Sequence, residues 1–363
     1  MTPAPSRPAS SLPLPVTGRP PDLSPAGLAR HFGLPDLPDR LAAVEERLAE
    51  AIGGDRSPLG PASQRVVSAG GKRLRPLLTV VAAATGDVFD DRVVDAAAAV
   101  ELVQVGSLVH DDILDDAATR RGRPTINAVE GVNHAVLAGD YILARAAELA
   151  AGVSQEAARL IAVALGELCE GQVLEMQDEY DPGRTVDAHL ASVRGKTAAL
   201  FACACRLGAH CAGLDERTTE ALGTYGQAFG MSFQVLDDVL DLIGDEERLG
   251  KPTGNDIASG VYTLPVISAL QGPDGAELRQ ALAEADSPAA VDRAIDLVRR
   301  SGAIAEALAT ADRYADTARR AVAHLDQCTA GEGLARFPHT YATWALQTLI
   351  DPRHLDRPVA ARD

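Results

Sequence analysis

Six aspartates in two widely separated triplets are the residues of this chain best suited to chemistry. Each triplet has two adjacent aspartates and a third four positions after the first: Asp111, Asp112 and Asp115, then Asp237, Asp238 and Asp241. On an α-helix, positions i and i+4 lie about 40° apart around the axis, so the outer carboxylates of a triplet face the same way. Each triplet therefore predicts an acidic helix face.

Both triplets follow apolar, helix-forming stretches, so their carboxylates would lie beside a hydrophobic core. Such carboxylates are costly unless cations neutralise them. Oxygen-only ligands favour a hard cation, and Mg²⁺ binds proteins through one or two carboxylates together with substrate phosphates. One triplet alone in an acidic protein is equally well explained as a solvated surface face. Two triplets with arginines nearby favour a site for Mg²⁺ and phosphate.

Basic residues cluster at glycine-containing breaks in the chain. In SAGGKRLRP, Gly70 and Gly71 interrupt the pattern and Pro76 suits the first turn of a new helix. The start of that helix would carry Lys72, Arg73 and Arg75. A helix N-terminus with free N–H groups and added cations is a natural phosphate site. Further basic residues follow the first triplet or open a later apolar helix: Arg120, Arg121, Arg123 and Lys196, the last followed by Thr197.

The elements that must position these residues are helices. Alanine and leucine dominate, alternating β-branched runs are scarce, and no convincing strand pair is present. Long helices are predicted over 91–114 and 218–244, each carrying one triplet near its end. Residues 39–363 are predicted to form one large all-α domain. Residues 1–38 hold ten of the 22 prolines and little patterning, which predicts a flexible tail.

Composition excludes several classes of function. A net charge of −17 argues against binding to nucleic acid or to an anionic membrane surface. No stretch free of charged residues is long enough to span a membrane, and the N-terminus lacks the apolar core of a signal peptide. The five cysteines form an odd set without metal-ligand spacing, which is typical of reduced thiols in a cytoplasmic protein.

The motifs resemble those of the all-trans isoprenyl diphosphate synthases, or polyprenyl synthetases. GGKRLRP, HDDILDDAATRRGRPT, GKTAALF, FQVLDDVLDLIGD with GKPTGND, and TLPVI occur in that family's order between about residues 40 and 350. The resemblance implies an all-α isoprenoid synthase fold whose two aspartate-bearing helices face each other across a central cavity. It also implies a homodimer that condenses isopentenyl diphosphate with an allylic diphosphate.

The resemblance also assigns roles to individual residues. Mg²⁺ would be held by Asp111, Asp115, Asp237 and Asp241. The allylic diphosphate would be held by Arg120, Lys196, Thr197, Gln234 and Lys251. The isopentenyl diphosphate would be held by Lys72, Arg75, Gln104 and Arg121. Among these, the catalytic set is expected to be Asp111, Asp115, Asp237, Lys196 and Arg120.

The chemistry explains the need for these residue types. Breaking the allylic C–O bond leaves negative charge on the departing diphosphate, and pre-placed cations stabilise that charge. The double bond of isopentenyl diphosphate then attacks the allylic cation, and loss of a proton completes a five-carbon extension. No dedicated His or Cys base is apparent, and the released diphosphate is expected to accept the proton. His110 is expected to serve a structural role at the helix end.

Two positions depart from the family pattern. Val261 stands before TLP, where short-chain members often have a lysine. Glu175 stands in GQVLE, where aspartate is frequent, and this change could shift a metal-bound water. The first departure weakens the argument for a short-chain enzyme.

Product length is predicted from the positions four and five residues before Asp111. These are Ser107 and Gly106, too small to wall off a pocket, which favours a medium- or long-chain product. Gly106 and Ser107 could instead only permit close helix packing. A geranylgeranyl diphosphate synthase is the nearest alternative; a class I terpene cyclase and a non-catalytic partner subunit are disfavoured by the two complete triplets.

Overall fold

The computed structural model describes residues 19–53, 57–249 and 252–350. The first part of the fold comprises α1 (Pro25–Phe32), α2 (Leu37–Ile52), α3 (Gly60–Val67), α4 (Leu74–Ala84), α5 (Asp91–Leu114), β1 (Thr119–Arg120), β2 (Arg123–Pro124), α6 (Ile126–Glu130), α7 (Val132–Val153) and α8 (Gln155–Gln177). The middle part comprises α9 (Val186–Val193), a π-helical turn (Arg194–Ala198), α10 (Ala199–Cys211) and α11 (Glu216–Ile243). The last part comprises α12 (Glu246–Leu249), α13 (Asn255–Ala258), α14 (Leu264–Leu270), α15 (Gly275–Ala283), α16 (Pro288–Ser301), α17 (Ala303–Ala321), a 3₁₀ turn (Ala323–Leu325) and α18 (Thr329–Leu349). The all-α prediction is confirmed.

The two helices that carry the aspartate triplets lie in the core. α5 begins after Asp90, whose carboxylate accepts the amides of Arg92 and Val93, and it packs against α4, α7 and α10. α11 packs against α10 and α17. By length and composition α5 is apolar enough to cross a membrane, but 72% of its most apolar window is buried inside the molecule. It is therefore the central helix of a bundle.

The N-terminal segment is more ordered than its composition predicts. Helix α1 starts at Pro25 behind Ser24, whose hydroxyl accepts the amide of Gly27 at 3.2 Å. Its last residue, Phe32, is fully buried and lies 5.2 Å from Phe337 of α18 between ring centroids. The prediction of a flexible tail up to residue 38 is therefore wrong from Pro25 onward, because an aromatic anchor offsets the entropy of ordering this segment. Residues 1–18 lie outside the described residues.

A short hairpin follows the first triplet, where the sequence indicated no strand pair. β1 and β2 pair antiparallel, with Arg120 opposite Arg123. The two-residue turn between them has φ values of 52° at Arg121 and 70° at Gly122. Two successive positive φ values are the geometry of a type I′ hairpin, which Gly122 accommodates without strain. The hairpin is too short for an alternating pattern, so periodicity could not reveal it.

Candidate active site

The first triplet lies at the C-terminal end of α5. Asp111 is in the last turn of the helix and Asp115 is its C-terminal cap. Burial raises the pKa of both carboxyls. The positive charges of Lys196 and Arg120 lower these two pKa values, and the negative charge of Glu175 raises them. The middle residue, Asp112, faces elsewhere: it is buried and accepts a hydrogen bond from Arg120 Nε. Asp111 and Asp115 therefore form the open acidic face, while Asp112 anchors the hairpin.

The chemistry of this face fits a divalent cation. Neighbouring carboxylates that repel one another become easier to ionise when a cation binds between them, and all of their ligand atoms are oxygens, which Mg²⁺ prefers. Among the described residues, no three His, Cys, Asp or Glu side chains form a ready-made metal cluster. Mg²⁺ commonly completes its coordination with water and substrate phosphates, so this arrangement suits a metal that arrives with a diphosphate.

Lys196 reaches the first triplet from the π-helical turn. Its Nζ donates to Glu175 Oε1 of α8 at 2.6 Å, and its charge acts on Asp111 and Asp115. The turn approaches α8 so closely that a side chain at Gly171 would overlap the amide nitrogen of Lys196. A side chain at Gly195 would lie 2.6 Å from the carbonyl oxygen of Glu167. These two glycines allow the backbones to touch and place the ammonium beside the aspartates.

Thr197, the next residue, faces the second triplet. Its hydroxyl donates to Gln234 Oε1 at 2.9 Å, and Gln234 Nε2 donates to Asp238 Oδ1 at 3.0 Å. Asp238 is buried, and its other oxygen lies 3.1 Å from His189 Nε2. Neighbouring residues of one turn thus contact the surroundings of both triplets, which brings together side chains that lie more than a hundred residues apart in sequence.

The outer residues of the second triplet have different surroundings. Asp237 is half-buried and lies near Tyr341 of α18. Burial of Tyr341 raises the pKa of its phenol, and the charge of Asp237 raises that pKa further. Asp241 is buried; its Oδ2 accepts the amide of Asp256 at 3.2 Å, and its carbonyl oxygen accepts the amide of Gly254 at 2.7 Å. Asp241 therefore holds the N-terminal end of α13.

A second cationic region surrounds the start of α4. Lys72 Nζ donates to the Tyr341 hydroxyl at 2.9 Å and lies 5.5 Å from each of the rings of Phe233, Tyr341 and Trp344. The Arg75 guanidinium stacks on the ring of Phe201 at 4.3 Å, and its buried Nε has no hydrogen-bond partner among the described residues. A partly satisfied cation of this kind is suited to receive an anionic ligand.

Buried Glu101 of α5 organises the arginines of this region. It forms an ion pair with Arg73 at 2.9 Å. Burial lowers the pKa of Arg75 to about 10 and also lowers the pKa of Arg121. The negative charge of Glu101 opposes this effect at both arginines. The Arg121 guanidinium also covers Gly71, where a Cβ would lie 2.8 Å from its terminal nitrogens. Gln104 lies one turn beyond Glu101 and is half-buried. The structure therefore brings Arg75 and Arg121, both predicted to bind isopentenyl diphosphate, to the same buried carboxylate.

The residues proposed to set product length lie at the contact of α5 with α7. A Cβ at Gly106 would lie 2.9 Å from Leu143 Cγ and 3.3 Å from the carbonyl oxygen of Gly139. Buried Ser107 donates its hydroxyl to the carbonyl oxygen of Gln104 at 3.0 Å. Close helix packing at Gly106 is thus present. His110 has the expected structural surroundings, with Nε2 3.2 Å from the carbonyl oxygen of Val136.

One predicted site residue has no described position, and three residues of the site were not predicted. Lys251 is outside the described residues. His189, Glu101 and Tyr341 were missed because their partners, Asp238, Arg73 and Lys72, lie in other elements, and periodicity does not join residues of different elements. The glycine before KT, Gly195, did carry a signal, since glycine inside a helical pattern often marks a close backbone approach.

Comparison with known proteins agrees with this geometry. Residues 57–298 match the family model Polyprenyl synthetase. Heptaprenyl diphosphate synthase component 2 of Geobacillus stearothermophilus is 40% identical over 78% of this chain and 88% of its own length. A short chain isoprenyl diphosphate synthase of Methanocaldococcus jannaschii is 41% identical over 64% of this chain and 72% of its own length.

Solved structures give the same answer. A polyprenyl synthase from Caulobacter crescentus, crystallised with calcium and isoprenyl diphosphate, superposes with a TM-score of 0.81. It shares 34% sequence identity, and the match covers 88% of this chain and 97% of that one. The chain therefore belongs to the polyprenyl synthetase family and is a trans-prenyltransferase with the all-α isoprenoid synthase fold.

Proposed function

We propose that this enzyme condenses isopentenyl diphosphate head to tail with an allylic diphosphate in a Mg²⁺-dependent reaction, and that its product is a medium- or long-chain all-trans polyprenyl diphosphate. The observation that carries the proposal is the π-helical turn. Lys196 acts on Asp111 and Asp115, while adjacent Thr197 is hydrogen-bonded through Gln234 to Asp238. A diphosphate placed at this turn would have one acidic helix on each side.

The side chains divide the work as follows. Lys196 and Arg120 would neutralise the allylic diphosphate as its C–O bond breaks and the electron pair leaves with the oxygen. Asp111, Asp115 and Asp237 would hold Mg²⁺, which when bound adds Lewis-acid stabilisation of the same charge. Thr197 and Gln234 would orient the leaving group.

The second substrate would lie at the start of α4. Lys72, Arg75 and Arg121 would bind its diphosphate, and this fixes the double bond beside the allylic carbon. After the new C–C bond forms, the proton lost from the adduct would pass to the released diphosphate. This role for the diphosphate fits the surroundings of the two histidines near the triplets, because His189 Nε2 is engaged with Asp238 and His110 Nε2 with the carbonyl oxygen of Val136.

The proposed product length is supported by the relatives and by the residues before Asp111. The Geobacillus relative, which is 40% identical to this chain over 283 residues, is named for a heptaprenyl product. Small residues at Gly106 and Ser107 agree with a long path for the growing tail. Geranylgeranyl diphosphate synthesis remains the second candidate, favoured by the relative from Methanocaldococcus and by the packing of Gly106 against α7.

One experiment separates these products. The purified chain is incubated with Mg²⁺, labelled isopentenyl diphosphate and either a farnesyl or a geranylgeranyl primer, and the dephosphorylated products are resolved by chromatography. We expect chains of about thirty to fifty carbons from both primers. A product that stops at twenty carbons would favour the second candidate, and no extension at all would overturn the stand-alone synthase.

We also propose that the enzyme is a homodimer that uses the outer face of α8. Small and apolar residues there recur at helical spacing and are all exposed: Ala162, Gly166, Cys169, Val173 and Met176. We call this set the α8 stripe. Val136 and Leu137 of neighbouring α7 are exposed as well, at 41% and 55%. A continuous apolar stripe on a soluble helix is typical of a protein–protein interface.

A second, different subunit is the alternative occupant of this face. The Geobacillus relative is named as component 2, which indicates that its enzyme has a further component. Both complete triplets in the present chain favour self-sufficiency. The molar mass and the specific activity of the purified chain distinguish a homodimer from a subunit that needs a partner.

A cytoplasmic location is proposed on the cysteine chemistry. Cys203, Cys205 and Cys211 are buried and unbridged, and burial raises the pKa of the Cys203 thiol to about 12. Thiols in this state are unreactive and suit a reducing compartment. Fractionation of cells that express the tagged full chain would test the location.

A further inference from the structure

A buried histidine–aspartate pair lies behind the second triplet. The side chains of His189 and Asp238 are each 2% exposed, and His189 Nε2 lies 3.1 Å from Asp238 Oδ2. The other carboxylate oxygen accepts from Gln234 Nε2 at 3.0 Å. Both oxygens of Asp238 are thus engaged by protein donors. This aspartate has the residue type of its triplet but not the surroundings of a metal ligand.

The pair determines which way Gln234 points. An ionised carboxylate only accepts hydrogen bonds, so the amide nitrogen of Gln234 must face Asp238 and the amide oxygen must face away. That oxygen accepts the hydroxyl of Thr197 at 2.9 Å. The hydrogen bonds that run from His189 through Asp238 to Gln234 and Thr197 therefore fix the rotamers of the last two, which are the residues assigned to the allylic diphosphate.

The backbone at His189 is held by a chain of hydrogen bonds. Its carbonyl oxygen accepts the hydroxyl of Ser192 at 2.8 Å, and Ser192 Oγ accepts from Arg184 at 2.7 Å. Arg184, whose side chain is 1% exposed, also donates to the carbonyl oxygen of Tyr262 at 3.1 Å and lies 3.4 Å from Asp178 Oδ2. The backbone of α9 at His189 is therefore anchored, and among the described residues the imidazole itself is hydrogen-bonded through Nε2 alone, because its buried Nδ1 has no partner there.

We propose that His189 is a positioning residue for the allylic diphosphate: by donating from Nε2 to Asp238, it fixes the Gln234 amide and the Thr197 side chain in one rotamer each, which leaves the second N–H of Gln234 as the donor to the leaving group. The inference rests on the proposed assignment of Thr197 and Gln234. Without the imidazole, one oxygen of a buried carboxylate loses its donor, which is more costly than the loss of an exposed hydrogen bond. Asp238 would then compete for Thr197 or turn the amide of Gln234.

Three substitutions of His189 test the proposal. In His189→Gln, the amide nitrogen can reach the position of the imidazole Nε2; in His189→Asn, the amide is one methylene shorter; His189→Phe keeps the volume without a donor. We expect the asparagine and phenylalanine variants to raise the KM for the allylic diphosphate about tenfold, the cost of one charge-assisted hydrogen bond. The KM of the glutamine variant for the allylic diphosphate should stay near the wild-type value. The KM for isopentenyl diphosphate should be unchanged in all three variants.

Asp238→Asn and Asp237→Asn provide the contrast between positioning and metal binding. We expect Asp238→Asn to raise the KM for the allylic diphosphate as His189→Phe does, because an amide, with one oxygen, cannot accept from both His189 and Gln234. Asp237→Asn should mainly lower kcat. Circular dichroism and thermal melting establish that each variant is folded, and the comparison of glutamine with asparagine stands even if the phenylalanine variant is not.

Specific outcomes would overturn the proposal. They are an unchanged allylic KM in both His189→Asn and His189→Phe, an equal rise in the KM of both substrates, or a glutamine variant no better than asparagine. Wild-type product formation in the same assay tests the proposed function separately. If the wild type forms no product, calorimetric binding of Mg²⁺ and inorganic diphosphate ranks the same variants, and identical affinities would then overturn the positioning role.

Discussion

Asp111 and Asp115 carry a pH dependence that follows from their burial. Their pKa values are raised above the ordinary 3.8, so these groups hold protons more tightly in the folded protein than in the unfolded chain. In the metal-free protein, their ionisation destabilises the fold above the raised pKa, and this effect disappears as pH falls through it. Mg²⁺ needs the ionised form, so its binding is lost over the same window, at a higher pH than ordinary aspartates would allow.

We therefore expect the melting-temperature gain from Mg²⁺ with inorganic diphosphate to shrink as the pH is lowered from about 7 towards about 4. Asp115→Asn should remove most of the gain and lower kcat about a hundredfold. Asp116→Asn is the matched control, because Asp116 is exposed like Asp115 and has a φ of 47°, which asparagine also adopts, but it is not one of the outer aspartates of the triplet. A gain independent of pH, or equal effects of the two variants, would contradict the assignment.

The single tryptophan of the chain reports on the second substrate. Trp344 lies 5.5 Å from Lys72 Nζ, close enough for a cation–π interaction. Isopentenyl diphosphate should draw the ammonium towards its phosphates, so we expect a saturable change in tryptophan emission on titration. Lys72→Gln should abolish this change, whereas Lys196→Gln should preserve it because Lys196 serves the other diphosphate. An unaltered response in Lys72→Gln would show that the substrate binds elsewhere.

The sequence predicted residue types better than residue partners. Spacing alone places the outer aspartates of each triplet on one face and turns the middle one about 100° away. It therefore separates Asp112 and Asp238 from the acidic face. It cannot say that Arg120 meets one and His189 the other, because these partners are set by the hairpin and by α9, and no periodic pattern joins them to the triplets.

Elements position the site through close contacts of backbone with backbone. Gly171 of α8 and Gly195 of the π-helical turn meet without intervening side chains, and Lys196 follows directly. We expect Gly171→Ala to lower the free energy of unfolding by about 1–3 kcal/mol through overpacking, and to lower kcat further by displacing Lys196. Urea denaturation and steady-state kinetics on the same preparations measure both effects.

Gly152→Ala is the matched control for this crossing. Gly152 is also helical and exposed, and a Cβ there would meet nothing within 4 Å. Alanine should raise stability by about 0.5–1 kcal/mol and leave activity unchanged. If Gly171→Ala were equally harmless, the close approach of α8 to the turn would not be what positions Lys196.

At the scale of the whole molecule, the helical fold could be predicted from the sequence, whereas only some of its exposed surfaces could. α5 was predicted to within a residue because caps and apolar runs are local signals, and its burial on every side follows from its lack of a polar face. The tail was misread because the anchor Phe32 finds its partner Phe337 more than three hundred residues away. The helical spacing of the α8 stripe is equally typical of a core face, and its exposure is seen only in the fold.

The exposure of the α8 stripe predicts its role in assembly. Val173 and Met176 are 52% and 44% exposed, an arrangement that leaves apolar area to be buried by a second copy. We expect Val173→Asp to shift the molar mass in light scattering from dimer towards monomer, because a charge in a dry interface is costly. Cys169, which is exposed within the stripe, should react slowly with a thiol reagent in the wild type and faster in this variant.

Val163→Asp separates the stripe from exposure in general. Val163 is on the same helix and 46% exposed, but it lies about 100° around the axis from Ala162 and outside the stripe. This variant should keep the wild-type molar mass and the slow reaction of Cys169. Equal dissociation by both substitutions would indicate a loss of helix stability instead of a specific interface. A monomeric wild type with full activity would show that the stripe is not an interface between copies, and a wild type that gains activity only with a second protein would assign it to a different subunit.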